Sequence, residues 1–294
     1  MTDKSDKSLL ITLACIVVGA LIGATLVATR YIVDQVEPTA LAALRYVIAL
    51  MMLAPFVLMH RQRIAWRHVP AISLLGIGQF GILITLLNFS LLYIPAARAA
   101  VLFATVPMVT MLIAALLGRE RLSLVRSLGV AACFAGVALA LSTKPLGAEA
   151  ETAWIGDLAA FGSALTGGVT NVLYGPYLRR YKALPVSVLS MFAAVVALTI
   201  GALFEAGGVP DLTAVDGVGW GVVAFIGWAS AVGFWLWIWA LGRSTPTNVA
   251  AFLSLGPLVA TGLGVVVLSE PVTLAFLLGL GLVSGGLWIT QKSG

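Results

Sequence analysis

Apolar residues along this chain come in runs of about twenty, separated by short polar stretches, and the alternation expected of a half-buried strand is absent. A helix needs about 20 mostly apolar residues to cross about 30 Å of hydrocarbon. Ten segments meet that length: Leu9–Thr29, Thr39–Met59, Ala71–Tyr93, Ala97–Leu117, Leu124–Ser142, Trp154–Tyr174, Pro185–Phe204, Gly219–Leu241, Thr247–Leu268 and Leu274–Thr290. Backbone groups in lipid must be satisfied within the chain, so each run predicts a helix. The expected fold class is an all-α polytopic membrane protein with ten transmembrane helices. The first run begins at Leu9 and leads straight into the series without a small-residue cleavage pattern, which predicts a retained first span rather than a removed leader.

Composition strengthens this reading. Of 294 residues, 61% are apolar and only 10% charged, against about 45–50% and about 25% in soluble domains. Seventeen Lys+Arg and twelve Asp+Glu are too few to clothe a water-soluble surface of this size. The net charge of +5 does not point to nucleic acid, because the basic residues are dispersed in short loops with no clustered face. They read instead as topology signals. Thirteen of the seventeen (Lys4, Lys7, Arg61, Arg63, Arg67, Arg119, Arg121, Arg126, Arg179, Arg180, Lys182, Arg243 and Lys292) fall on one side, against Arg30, Arg98 and Lys144 on the other, which predicts that both termini are cytoplasmic. Cys15 and Cys133 lie inside apolar runs and offer neither a disulfide framework nor a metal cluster. No cofactor or metal is expected; the expected partners are the bilayer and a small-molecule substrate.

The longest polar interruption, Thr143–Thr152, divides ten spans into two sets of five, 1–143 and 154–294, with 144–153 as linker. A shift of 150 residues pairs Pro107 with Pro257, Val109 with Val259, Glu120 with Glu270, Gly129 with Gly279 and Gly136 with Gly286, without a gap. A shift of 144 pairs Ala20, Leu21 and Gly23 with Ala164, Leu165 and Gly167. Five is odd, so the second copy enters the membrane inverted. Inverted repeats are an architecture of secondary transporters, with the substrate near the midplane between the repeats.

Four stretches then carry a family resemblance: Gly23–Tyr31 with Leu41–Tyr46 (containing ALRY), Ser90–Pro107, Gly118–Ser123 (GRERLS) with Gly129 and Gly136, and Ser269–Thr273 (SEPVT) with Gly279. In their order and twofold recurrence the chain resembles the drug/metabolite transporter superfamily, EamA type, over essentially its whole length. The resemblance implies metabolite export by alternating access, through a cavity lined by spans one, three, four, six, eight and nine. The size and the aromatic-rich eighth span suggest the YddG-like aromatic amino-acid exporters within it.

Candidate substrate-binding residues on those spans are Gln79, Phe80, Leu83, Phe103, Val106, Asn171, Trp228 and Trp235. Gln79 and Asn171 are uncharged amides within spans. Such a group faces protein, because leaving it unpaired in lipid is costly; an interhelical hydrogen bond and a ligand role for a zwitterion both stay open. Trp228 and Trp235 are seven apart, hence on one helical face, where flat rings would offer stacking surface; Trp237 and Trp239 read as interfacial. Pro107 and Pro257, each lacking a backbone donor, are expected as paired hinges at mid-depth. Gly19 and Gly23, with Ser163 and Gly167 at the equivalent place, predict close helix packing where spans one and six cross. Arg45 is the one basic residue not assigned to either side of the membrane, well inside the second span; a functional role and a snorkelling one are equally open. Glu120 and Glu270 read as loop and cap structure before Ser123 and Thr273, and His60 and His68 as interface residues of the Arg-rich loop.

The sequence offers no constellation for an intramembrane enzyme, since the only two histidines lie beside one loop. Rings of charge around a pore are also missing, which argues against an ion channel. The expected function is inner-membrane export of small neutral or zwitterionic solutes, amino acids with aromatic or apolar side chains foremost. Multidrug or cationic-compound efflux is the alternative, with a channel-like role behind it. No carboxylate is expected at mid-depth, so flux is expected to run down the solute's own gradient.

Overall fold

Carbonyl and amide groups with no water to turn to close their hydrogen bonds inside the segment, and in the computed structural model the apolar runs are helices. It describes residues 2–59, 62–118, 124–142, 151–213, 215–241 and 255–292. In chain order these form α1 (Thr2–Ile32), α2 (Pro38–Met59), a 3-10 turn at Trp66–His68, α3 (Val69–Gly76), a π-helical stretch at Ile77–Ile82, α4 (Leu83–Ser90), α5 (Ala96–Phe103), α6 (Val106–Leu116), α7 (Leu124–Ser142), α8 (Ala153–Arg180), α9 (Ala183–Glu205), α10 (Gly217–Leu241), α11 (Leu255–Leu268) and α12 (Leu274–Lys292). No strand occurs among the described residues.

Six segments are long and apolar enough to cross a membrane: Leu9–Ile32, Pro38–Phe56, Trp66–Ser90, Ala96–Leu116, Ala183–Glu205 and Gly217–Trp237. Ser127–Ser142, Leu255–Leu268 and Leu274–Ile289 are apolar but shorter. Residues 247–254 of the expected ninth span lie outside the described residues. The expected sixth span lies in α8, which is long, at 28 residues, but divided in character. One stripe, Trp154, Leu158, Phe161, Leu165, Val169 and Leu173, is apolar and exposed. The other side buries small and polar residues, among them Gly156, Ala160, Ser163, Gly167 and Thr170. Such a helix presents one face to lipid and the other to protein.

The fourth expected span is interrupted. α5 and α6 are separated by Ala104 and Thr105, and the Thr105 N–H bonds the Leu102 carbonyl at 3.1 Å rather than continuing the α pattern. Pro107 falls in the first turn of α6, where its missing N–H has no partner to lose. Pro257 lies buried in the first described turn of α11.

Small residues set the helix contacts, but with different partners from those expected. Gly23 packs on α11, where a Cβ would stand 2.8 Å from the Ala260 nitrogen, and Gly256 faces back to the Gly19 carbonyl. Gly167 packs on the Leu83 and Val106 side chains, and Ser163 is fully buried. The small face of α1 is therefore spent on α11 and that of α8 on α4 and α6, and the expected crossing of spans one and six is replaced by these two. α7 and α12 also approach closely, along an extended seam. A Cβ on Gly136 would meet the Gly279 carbonyl oxygen at 2.6 Å, one on Gly279 the Gly136 oxygen at 2.6 Å, and one on Gly286 the Gly129 oxygen at 2.6 Å. Cys133 is buried in the same seam and donates its thiol to the Val283 carbonyl at 3.5 Å.

Candidate functional site

The π-helical stretch widens the third span by one residue at the point where Gln79 and Phe80 leave the backbone, a distortion that recurs at functional sites. Gln79 turns toward α8, where the Thr170 hydroxyl donates to its Oε1. Its amide NH2 has no partner among the described residues. One residue further on, the Asn171 Nδ2 donates to the Thr110 Oγ1 of α6 at 3.4 Å. Asn171 is exposed, yet at 100° per residue it stands about 160° from Val169 and the apolar stripe of α8. Its exposure therefore opens between α8 and α6, and Leu178, seven residues on along the same face, is exposed as well.

Apolar walls flank these amides. Phe80 meets Tyr46 of α2 edge to face, ring centroids 5.3 Å apart, and lies 6.5 Å from Phe234 of α10. Phe103, at the end of α5, is half-buried between the clusters around Leu102 and Leu83. Leu83, only 2% exposed, and the half-buried Val106 fill the notch at Gly167 and act as packing in this conformation. Trp228 and Trp235 do share one face, 44% and 41% exposed. That face is turned away from the neighbours of α10: Gly227 meets Ile48, Ser230 meets Arg45, and Gly233 meets Leu21. Their ring partners are Phe225 and Phe56, and no described contact joins them to Gln79 or Asn171.

The two ends of the helix assembly differ. At the end where α8 begins, Arg98 is 8% exposed and grips Asp157 with two hydrogen bonds of 2.7 Å, Nε to Oδ1 and Nη2 to Oδ2. The carboxylate of Glu270 accepts the Ala96 N–H at 2.8 Å and so caps α5, while Thr273 caps α12 through the Phe276 N–H at 3.2 Å. Glu205 accepts the Thr39 N–H at 3.1 Å, and Asn88 donates to the Pro38 carbonyl at 3.0 Å. Glu270 sits at a span end as expected but does more than cap locally, and it and Asp157 each tie two distant segments. At the other end, the His68 Nδ1 lies 2.7 Å from the Tyr181 hydroxyl. His60, Glu120 and Ser123 lie outside the described residues.

Residues 9–142 and 154–291 each match the EamA-like transporter family. The chain belongs to the EamA-like transporter family. It is accordingly a multi-pass membrane transporter, and the two matches divide it near the polar stretch that follows α7. Among curated relatives, it is 25% identical over 275 residues to an uncharacterized transporter of Archaeoglobus fulgidus, covering 92% of this chain and 94% of that one. It is 29% identical over 236 residues to a "probable terminal-alkyne amino-acid exporter" of Streptantibioticus cattleyicolor, covering 77% and 75%. An uncharacterized transporter of Bacillus subtilis is 21% identical over 286 residues, covering 95% and 96%. A solved crystal structure of another protein superimposes with a TM-score of 0.65 at 21% identity, over 97% of this chain and 96% of that one, which shows a shared fold.

Thr170 and Thr110 were not singled out in the sequence. The one available signal was position: Thr170 falls on the small-residue face of α8 with Ser163 and Gly167, away from its apolar stripe.

Proposed function

We propose that this protein exports small neutral or zwitterionic solutes, foremost amino acids with aromatic or apolar side chains, by alternating access across the inner membrane. The observation that carries the reading is the pair of amides, Gln79 and Asn171, set on either side of the α8 polar face, one with a free NH2 and the other exposed away from the apolar stripe. Neutral amides match a solute with no net charge, since each supplies donors and acceptors without fixing a counter-charge. Phe80 and Phe103 add apolar surface. Burying an aromatic side chain against such a wall is worth about 1.5–3 kcal/mol, and each neutral hydrogen bond about 0.5–1.5 kcal/mol. The relative named as an amino-acid exporter supports the substrate class.

The transport cycle we infer uses ten spans arranged as two inverted five-helix repeats, 1–143 and 154–294, with both termini cytoplasmic. Support comes from the contacts: under the 150-residue shift, the Gly136–Gly279 approach becomes Gly286–Gly129, which also occurs. It comes too from the closed Arg98 end facing a site that opens toward the basic end of α8, the arrangement of an inward-open state. Every described Asp and Glu beyond α1 lies at a helix end or in a loop, so no mid-depth carboxylate is present among the described residues to relay a proton. Flux then follows the solute's own gradient.

The test is counterflow in proteoliposomes of purified protein, with a panel of labelled amino acids and cationic drugs, with and without a pH gradient. Saturable exchange of phenylalanine or leucine, independent of the gradient and reduced several-fold in Asn171→Ala, is the expected result. Exchange of cations but of no neutral amino acid would overturn the substrate class, and accumulation driven by the pH gradient would overturn the energetics.

A further inference from the structure

Arg45 lies seven residues into α2, about 10 Å from its start at 1.5 Å per residue, and inside the membrane-length segment Pro38–Phe56. A guanidinium keeps its charge at any working pH, and in a span it is costly unless something balances it. Nothing in its described surroundings does. Its Nε donates to the Ser230 Oγ of α10 at 2.6 Å, and its guanidinium carbon stands 5.9 Å from the centre of the Tyr46 ring. Both partners are neutral, and no carboxylate among the described residues lies within ion-pair distance of it. The Ser230 hydroxyl gives its own proton to the Ile226 carbonyl at 2.7 Å, which leaves its oxygen free to accept and fixes the orientation of the guanidinium. The two Nη groups, four N–H donors, have no described partner, and the residue is only partly buried. This is one half of an ion pair, held in place by a serine.

Its position connects it to the proposed site. Tyr46, next in sequence, meets Phe80 at 5.3 Å, and Phe80 follows Gln79 in the π-helical stretch. A cation, an aromatic patch and a free amide therefore succeed one another between α2, α10 and the third span. We propose that Arg45 binds the carboxylate of the transported solute, with Ser230 as its positioning residue. The inference rests on the amino-acid reading above and deepens it: the substrate class becomes α-carboxylates with an apolar side chain. A planar fork of N–H donors meets a carboxylate with two parallel charge-assisted bonds, which neither Gln79 nor Asn171 can supply.

The experiment compares phenylalanine with phenylalaninamide, in which the carboxylate is replaced by a neutral amide, as competitors of labelled phenylalanine in proteoliposomes and as stabilisers of the detergent-solubilised protein. The unsubstituted protein should prefer the acid by about tenfold or more. In Arg45→Gln that preference should collapse toward equality through loss of phenylalanine affinity, and Arg45→Lys should restore part of it. Ser230→Ala, which leaves the charge in place, should weaken phenylalanine several-fold and the amide little, and it supplies the test if Arg45→Gln does not fold. An undiminished acid preference in Arg45→Gln, or in Ser230→Ala where Arg45→Gln cannot be purified, overturns the role of Arg45 and leaves the exporter reading standing. Failure of the unsubstituted protein to bind phenylalanine or any other neutral amino acid overturns both.

Discussion

Asn171 and Leu83 are both expected binding residues, yet their surroundings assign them opposite kinds of work. Leu83 is enclosed and props α4 against the α8 notch at Gly167; truncating it removes packed methyl groups and leaves a cavity. Leu83→Ala should cost about 2–5 kcal/mol, read as a lower melting temperature in detergent whether or not substrate is present. Asn171 is exposed and holds only a long 3.4 Å contact to Thr110, so Asn171→Ala should leave the melting temperature of the empty protein unchanged and reduce its rise on adding substrate. The reverse pattern in the two variants would exchange their roles. Gln79 and Asn171 were legible in the sequence because an amide inside an apolar run is conspicuous. Thr170 and Ser230 were not, because a helical hydroxyl can bond its own preceding carbonyl and so look neutral; Ser230 does so here, to Ile226, and the Thr170 oxygen lies within 2.8 Å of the Thr166 carbonyl although its proton serves Gln79. The common face of Trp228 and Trp235 follows from their spacing, but spacing does not say what a face meets. That information lay in Gly227, Ser230 and Gly233, the small residues that mark where α10 touches its neighbours.

Elements were read best where one property decides them. Run length and hydropathy located the helices, while α8 and the α5–α6 interruption depend on which side of a helix meets protein, which a count of apolar residues averages away. The sequence singles out Gly129, Gly136, Gly279 and Gly286, and α7 and α12 show what these glycines are for: each gives up its side chain so that the opposing helix can approach. Gly279→Val should therefore prevent the helices from closing, because the atom it meets is backbone and cannot rotate away; overpacking a core typically costs about 1–3 kcal/mol, and a rigid backbone neighbour raises this. Gly281, two residues along α12, faces open space, so Gly281→Val controls for β-branching in the same helix. Size-exclusion profiles in mild detergent should show loss of monodisperse protein for Gly279→Val only. Equal behaviour of the two would mean that the seam is loose.

At the scale of the whole molecule, charge asymmetry could be counted from the loops, but the pairing of Arg98 with Asp157 could not. Arg98 and Asp157 are 59 residues apart, in segments that sequence order treats as unrelated, and only the fold brings them together. Arg98 also reaches the Leu141 carbonyl at 3.4 Å, so this one side chain joins α5, α7 and α8. A buried pair of this kind contributes little net stability beside an apolar replacement, whereas removing one partner is severe, about 3–5 kcal/mol, because the other charge is left buried without a counter-charge. Asp157→Asn should accordingly lower the melting temperature, and combining it with Arg98→Met should recover much of the loss. If the pair is also the latch that keeps this end shut during the cycle, Asp157→Asn should do something the double variant's stability does not report: it should open the path beside α5. Ala97, 5% exposed and beside the Glu270 carboxylate, is the position to watch. An Ala97→Cys probe should react slowly with a membrane-impermeant thiol reagent in the otherwise unsubstituted protein, and faster once Asp157→Asn is added, from the side of the membrane opposite the Arg67 loop. Cys15 and Cys133 are both buried and should contribute little background. Unchanged labelling together with a lowered melting temperature would make the pair a scaffold and place the moving seal elsewhere, with the Glu270 cap on α5 the next contact to break.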